Sequence, residues 1–278
     1  MRFVRYRHND QAWTGLREDE QVWPIGTTAL EDYLRQGLPL SSLRDQAQRE
    51  QPPLAYHSLE LLSPLQRPGK ILCVGLNYRD HVAESRYEQP DAPVVFLRAA
   101  SSLAGHGAPV VQPACSDSLD YEGELAVVLG AGGRNLDAAA ALASIAGYSV
   151  FNDITVREFQ FNSTQWTLGK NFDGTGIMGP DLVSAEALPP GAKGLQLKTW
   201  LNEQCMQSAS TSDMIHDPVA LIQYFSRYLQ LEAGDVIVTG TPSGVGWVKK
   251  PRLTMQPGDI CRVSIESIGS IENRIVQE

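Results

Sequence analysis

Asp120-Tyr121-Glu122-Gly123-Glu124-Leu125-Ala126-Val127-Val128-Leu129 sets two glutamates, two residues apart, at the mouth of a continuous apolar run. In a β-strand the rise is about 3.3 Å per residue and side chains two apart share a face. Glu122 and Glu124 are therefore predicted to project side by side, close enough to grip one ion. The apolar run reads as a buried strand, where uncompensated carboxylates are costly to desolvate. The pair asks for a cation. An isolated Glu-x-Glu is ordinarily a solvated edge-strand pair, but the run behind Glu124 argues against that here. Asp120 shares the parity and reads as a further ligand or, preferably, as a turn residue.

A third oxygen is expected from the end of a neighbouring strand. Val150-Phe151-Asn152-Asp153-Ile154 places Asp153 there. Glu122, Glu124 and Asp153 suit a hard divalent cation, Mg²⁺ or Mn²⁺, which prefers oxygen and keeps exchangeable positions. Three carboxylates on one side leave the other positions open, a catalytic arrangement.

Working outward, the chain reads as strands separated by Gly/Pro turns. Lys70–Gly75, Val94–Leu97, Tyr148–Ile154, Gln196–Leu201, Val236–Thr239 and Ile260–Ile265 are the clearest. Helices are expected over Asp137–Ala146, stopped by Gly147, and over Pro218–Leu229, capped by Asp217. Before these, residues 1–65 form a small leading unit with a strand at Phe3–Tyr6 and a polar helical stretch near Ala29–Glu50. Ser63-Pro64 and Arg67-Pro68-Gly69 read as the linker to residues 66–278. The class is β-rich α+β.

Net charge is −9, which argues against general nucleic-acid or anionic-membrane binding. The four cysteines are scattered without a CxxC pair and fit a reducing compartment. No run approaches the ~20 apolar residues of a membrane helix, and the N-terminus lacks an apolar signal core; a cytoplasmic protein is expected. Gly174-Thr175-Gly176-Ile177-Met178-Gly179 matches GxGxxG but runs straight into Pro180, so the dinucleotide reading fails. Gly240-Thr241-Pro242-Ser243-Gly244-Val245-Gly246 lacks a Walker lysine, yet suits a backbone that approaches a small ligand closely.

His81 and Glu84 stand three apart, so on a helix the carboxylate can hold and polarise the imidazole. Such a pair can deprotonate water beside a metal. His57, His106 and His216 have no comparable partner and read as turn or surface residues.

Several segments together resemble the fumarylacetoacetate hydrolase family. They are Gly75-Leu76-Asn77-Tyr78 with Asp80-His81 and Glu84, Asp120 to Leu125, Asn152 to Gln160, Gln165-Trp166, Gly169 to Asp173, Thr211 to Ile215, Thr239 to Gly246 and Pro257-Gly258-Asp259. The resemblance implies a mixed β-sandwich roll of the family's C-terminal type and a homodimer. It implies a metal site of Glu122, Glu124 and Asp153, taking Mg²⁺ or Mn²⁺, and chemistry on 2-oxo or 2,4-dioxo acids. By the same carry-over His81 and Glu84 form a lid dyad, and Lys170 and Gln160 contact substrate. Thr241 would help hold its carboxylate, with Arg157 joining the pocket. The dyad ranks C–C hydrolysis of an acylpyruvate first, ahead of oxaloacetate-type decarboxylation or isomerisation of unsaturated 2-oxo diacids such as 5-carboxymethyl-2-hydroxymuconate. The hairpin tip Asn202-Glu203 departs from the family's Asn-Gly. The distal pocket is expected in Ser85–Pro93 and Trp247–Pro251.

Overall fold

A computed structural model describes residues 1–85, 88–89 and 91–278. Arg86, Tyr87 and Pro90, in the first expected distal-pocket loop, lie outside the described residues. Among the described residues a large mixed sheet runs from Leu54–Ala55 through Gln21–Gly26, Gln11–Glu18 and Arg2–His8 to Gly176–Ser184. It continues through Ile145–Asp153, Gly123–Leu129, Val236–Val238 and Ile71–Gly75 to the edge strand Val94–Leu97. Most pairs are antiparallel, but Val236–Val238 and Ile71–Gly75 run parallel. A second sheet, Gln204–Ser210, Gln196–Leu201, Ile260–Ile265, Gly269–Gln277 and Val110–Gln112, covers one face.

The central strand explains the layering. Leu125, Val127 and Leu129 pack with Leu197, Val263, Ile265 and Ile271 of the second sheet. The alternate residues Ala126 and Val128 pack on the other face, against Phe3, Leu30, Leu34, Leu43 and Leu65. Each face is thus covered, which is why the run has no polar alternation.

The expected strands are all present. Two helical expectations are corrected. The stretch near Ala29–Glu50 is two short helices, Leu30–Arg35 and Leu40–Leu43, broken where Gly37 takes φ +74° and Pro39 follows. The helix after Asp137 ends at Ala143, because Gly147 belongs inside the strand Ile145–Asp153. A Cβ there would lie 2.4 Å from the Val183 carbonyl oxygen, so glycine serves close strand approach, not helix termination. Helix Pro218–Tyr228 is capped as expected, with Asp217 accepting from the Ala220 amide. Gly176 opens the strand Gly176–Ser184, so the GxGxxG match leads no helix. At the hairpin tip Asn202 alone takes positive φ, +54°.

Candidate metal centre and pocket

Strand parity brings Glu124 and Asp153 together, and Glu122 joins them from the residue just before its strand. Glu124 lies on the Ala126–Val128 face of its strand, and Asp153 lies on the Phe151 face of the neighbouring one; Ala126, Val128 and Phe151 share one core. Gly123 pairs with Asn152 across the ladder, and Glu122 accepts the Asp153 amide on its carbonyl at 2.8 Å. One carboxylate oxygen from each of Glu122, Glu124 and Asp153 falls within 4.8 Å of the others, all three buried.

The charges around them differ. Lys170, from the short helix Thr167–Lys170, sets Nζ 2.7 Å from Glu122 Oε2 and 2.5 Å from Asp153 Oδ2. Arg157 Nη1 stands 2.6 Å from Glu122 Oε1. Burial opposes ionisation of Glu122, but the Lys170 ammonium and Arg157 guanidinium prevail and hold its carboxyl at about 2. Burial also disfavours charge on Lys170, yet Asp153 and Glu122 raise its pKa, so it stays an ammonium. Glu124 pairs with no base among the described residues and accepts only the Gly240 amide, at 2.5 Å. Burial first, then the charges of Asp153 and Glu122, push its carboxyl well above the usual range. Among the described residues, Asp120, Glu122, Glu124 and Asp153 pair only with the bases Arg98, Arg157 and Lys170. That excess of negative charge, centred on an unpaired buried carboxylate among clustered hard oxygens, fits a divalent cation.

His81 and Glu84 lie on the helix Arg79–Ser85, with Nδ1 2.8 Å from Glu84 Oε1. Glu84 also accepts the Gly244 amide, at 3.0 and 2.9 Å to its two oxygens. His81, Glu122, Glu124, Arg157, Gln160, Lys170 and Thr241 line one cavity of about 240 Å³. Asp153 stands behind Lys170. Apart from Ser85, the remaining wall is apolar and includes Phe96, Phe161, Trp166, Val245, Trp247 and Val248. Phe161 and Trp247 stack with centroids 6.0 Å apart. Gln160 Oε1 accepts from Arg157 Nη1 at 2.9 Å. Thr241 donates to the Gly123 carbonyl at 3.0 Å and accepts from Gln207 Nε2 at 2.7 Å.

Asp120 departs from its expected turn. It is fully buried in the strand pair Leu119–Asp120 and Thr155–Val156. Its carboxylate takes Arg157 Nε and Nη2 at 2.9 and 2.8 Å and the amides of Tyr121, Gly246 and Trp247, each at 2.9 Å. Sequence reasoning missed Arg98 altogether. It is 4% exposed; Nε reaches Asp153 Oδ1, Nη2 the Ile154 carbonyl at 2.6 Å and Nη1 Thr175 Oγ1 at 3.1 Å. Asn77, within Gly75-Leu76-Asn77-Tyr78, is fully buried. Its amide ties the Thr239 and His216 carbonyls at 2.7 and 2.9 Å, fixing the loop that carries Thr241.

The profile of the family described as fumarylacetoacetate (FAA) hydrolase C-terminal matches residues 70–276. The chain belongs to the fumarylacetoacetate hydrolase family. A mitochondrial oxaloacetate tautomerase of Homo sapiens is 37% identical over 256 residues, covering 91% of this chain and 81% of the relative. The solved fumarylacetoacetate hydrolase from Exiguobacterium antarcticum superposes with a TM-score of 0.89 at 36% identity, covering 100% of both chains. A maleylpyruvate hydrolase from Sphingobium sp. SYK-6, solved with manganese(II) and pyruvate, superposes with a TM-score of 0.82 at 25% identity, covering 100% of this chain and 99% of that one. The fumarylacetoacetate hydrolase family is one of enzymes acting on small molecules, typically with a divalent metal. No helix among the described residues is long and apolar enough to cross a membrane.

Proposed function

We propose that this protein hydrolyses the C3–C4 bond of a 2,4-dioxo acid of the acylpyruvate type, consuming one water and releasing pyruvate and a carboxylic acid. The observation that carries the reading is His81, oriented by Glu84, facing the same cavity as the carboxylates. Glu122, Glu124 and Asp153 would hold the Mg²⁺ or Mn²⁺ ion, and the tautomerase and hydrolase names of the relatives agree with enolate chemistry there. A divalent ion held there would supply Lewis-acid stabilisation of developing negative charge.

The protein's own groups supply the rest. An ionised carboxylate can only accept, so Glu84 fixes the hydrogen on His81 Nδ1 and leaves Nε2 as the base. Nε2 takes a proton from water as the water oxygen adds to C4. The C3–C4 bond then breaks toward C3, and the imidazolium returns its proton there. Lys170 remains protonated and acts through its charge, not as a base. Gln160, with Oε1 held by Arg157, offers its amide hydrogens to substrate. Thr241 contacts the substrate carboxylate once its hydroxyl turns from the Gly123 carbonyl. The aromatic wall of Phe161, Trp166 and Trp247 suits an uncharged acyl tail.

A panel of 2,4-dioxo acids and oxaloacetate, assayed with Mg²⁺ and Mn²⁺ for pyruvate release, tests this. Acylpyruvates should yield one pyruvate each, and His81→Ala should lower kcat about 10²- to 10⁴-fold. Unchanged hydrolysis in His81→Ala, or full turnover in excess chelator, refutes the scheme. The oxaloacetate tautomerases among the relatives favour a second reading, keto–enol interconversion or decarboxylation of an oxaloacetate-type acid. Loss of enol absorbance without pyruvate formation would identify tautomerisation. The reading takes the protein as a homodimer, which light scattering would test.

A further inference from the structure

A second cavity, of about 610 Å³, opens between residues 1–65 and the catalytic unit and shares no lining residue with the first. Strand Arg2–His8, the stretch Leu59–Gln66 and residues 100–109 wall it. Gly105 makes the junction possible: a Cβ there would lie 2.6 Å from the Leu62 carbonyl carbon, so only hydrogen lets the loop close on that strand.

Three hydrogen-bond donors on this wall are left over. Arg5 is 8% exposed, yet its guanidinium makes no hydrogen bond or ion pair among the described residues. Glu31, whose charge acts on Arg5, turns Oε1 instead to the amides of Gln66 and Arg67, at 2.9 and 2.5 Å. Glu60, also on the wall, is engaged by Arg7 at 3.0 Å. Ser63 is 7% exposed and its Oγ is buried with no partner. His106 accepts the Glu272 amide on Nδ1 at 3.0 Å, so the neutral ring carries its hydrogen on Nε2.

A buried guanidinium with no hydrogen bond or ion-pair contact is costly, and native folds satisfy buried polar groups. A guanidinium fork matches the two oxygens of a carboxylate or phosphoryl group. We propose that this cavity binds a small oxyanion, carboxylate or phosphoryl, between the Arg5 guanidinium, the Ser63 hydroxyl and the His106 Nε2–H. The proposal is independent of the reaction assigned to the carboxylate centre.

Titration calorimetry on the full chain in excess chelator, with inorganic phosphate in one arm and succinate in the other at constant ionic strength, tests it. One arm should show saturable binding at one site per chain, and the tighter arm names the chemistry. Arg5→Met should weaken that binding about tenfold or more and Ser63→Ala about threefold, the charged contact counting for more than the neutral one. If Arg5→Met does not fold, Ser63→Ala, a truncation by one atom, carries the comparison. Absence of saturable binding in both arms overturns the proposal, as does binding that both variants leave unchanged. So does conversion of an oligomer to monomer by Arg5→Met, since the guanidinium's partner would then be a second copy of the chain.

Discussion

Asp120→Asn removes one charge and almost no volume, and its cost follows from the contacts. The carboxylate accepts five hydrogen bonds, two from Arg157 and three from backbone amides. An asparagine keeps one acceptor oxygen, and its NH₂ group points a donor at other donors. Arg157 is left buried with Glu122 as its remaining anionic partner. Removing one partner of a buried ion pair costs about 3–5 kcal/mol. At about 2–4 °C per kcal/mol for a chain of this size, the melting temperature should fall by roughly 6–20 °C. Scanning calorimetry of the metal-free protein at neutral pH measures it. A fall under about 2 °C would show that Asp120 does not bear the load its contacts describe. Because Gly246 and Trp247 are held by the same carboxylate, KM should rise as well.

Three further outcomes are expected. Glu124 has its folded pKa raised above the ordinary 4.5, so the stability its proton confers is full below that value and lost as pH rises toward the folded pKa. The metal-free melting temperature should therefore fall as pH rises above about 4.5, the fall should vanish in Glu124→Gln, and metal binding should release a proton; an identical slope in the variant would contradict this. Glu122, held at about 2, has the opposite sign: its contribution is present above pH 4.5 and lost only as pH drops toward 2. Glu84→Gln should lower kcat about 10-fold or more, by ceasing to polarise His81, while metal affinity measured by calorimetry stays within about twofold. Gly75→Ala places a Cβ 2.3 Å from the Trp166 ring, so Trp166 must leave the cavity wall; KM for a bulky acylpyruvate should change several-fold with kcat less affected, and unchanged kinetics would show the ring is not a wall of the occupied pocket.

The strands were legible because both faces of the large sheet are covered, which turns each into an apolar run. The Glu122–Glu124 pair was legible from its two-residue spacing, and Asp153 from its place at the end of a neighbouring apolar run. Parity says nothing of partners, however, so Asp120 looked like a turn residue although Arg157 lies only 37 positions further on. Arg98 had no pattern at all: a single arginine after Val94–Leu97 acquires meaning only when the fold brings Asp153 to it. Gly147 misled for a related reason. Glycine at a helix end and glycine beneath a crossing carbonyl look identical until the neighbouring strand is in place. Arg5 was likewise invisible, since only the fold shows that its guanidinium meets no hydrogen-bond partner among the described residues.

The pairing of Arg2–Val4 with Asp181–Val183 has a consequence for dissecting this protein. The first strand closes a sheet edge that belongs to the catalytic unit, and Arg2 and Arg17 together neutralise the fully buried Asp181, at 2.9 and 3.1 Å. A chain beginning at residue 66 would keep every group of the carboxylate centre and still expose a raw row of backbone donors and acceptors, beside a stranded anion. Such an edge recruits other chains. Residues 1–65 line no part of the carboxylate cavity, yet their first strand keeps the large sheet from becoming sticky.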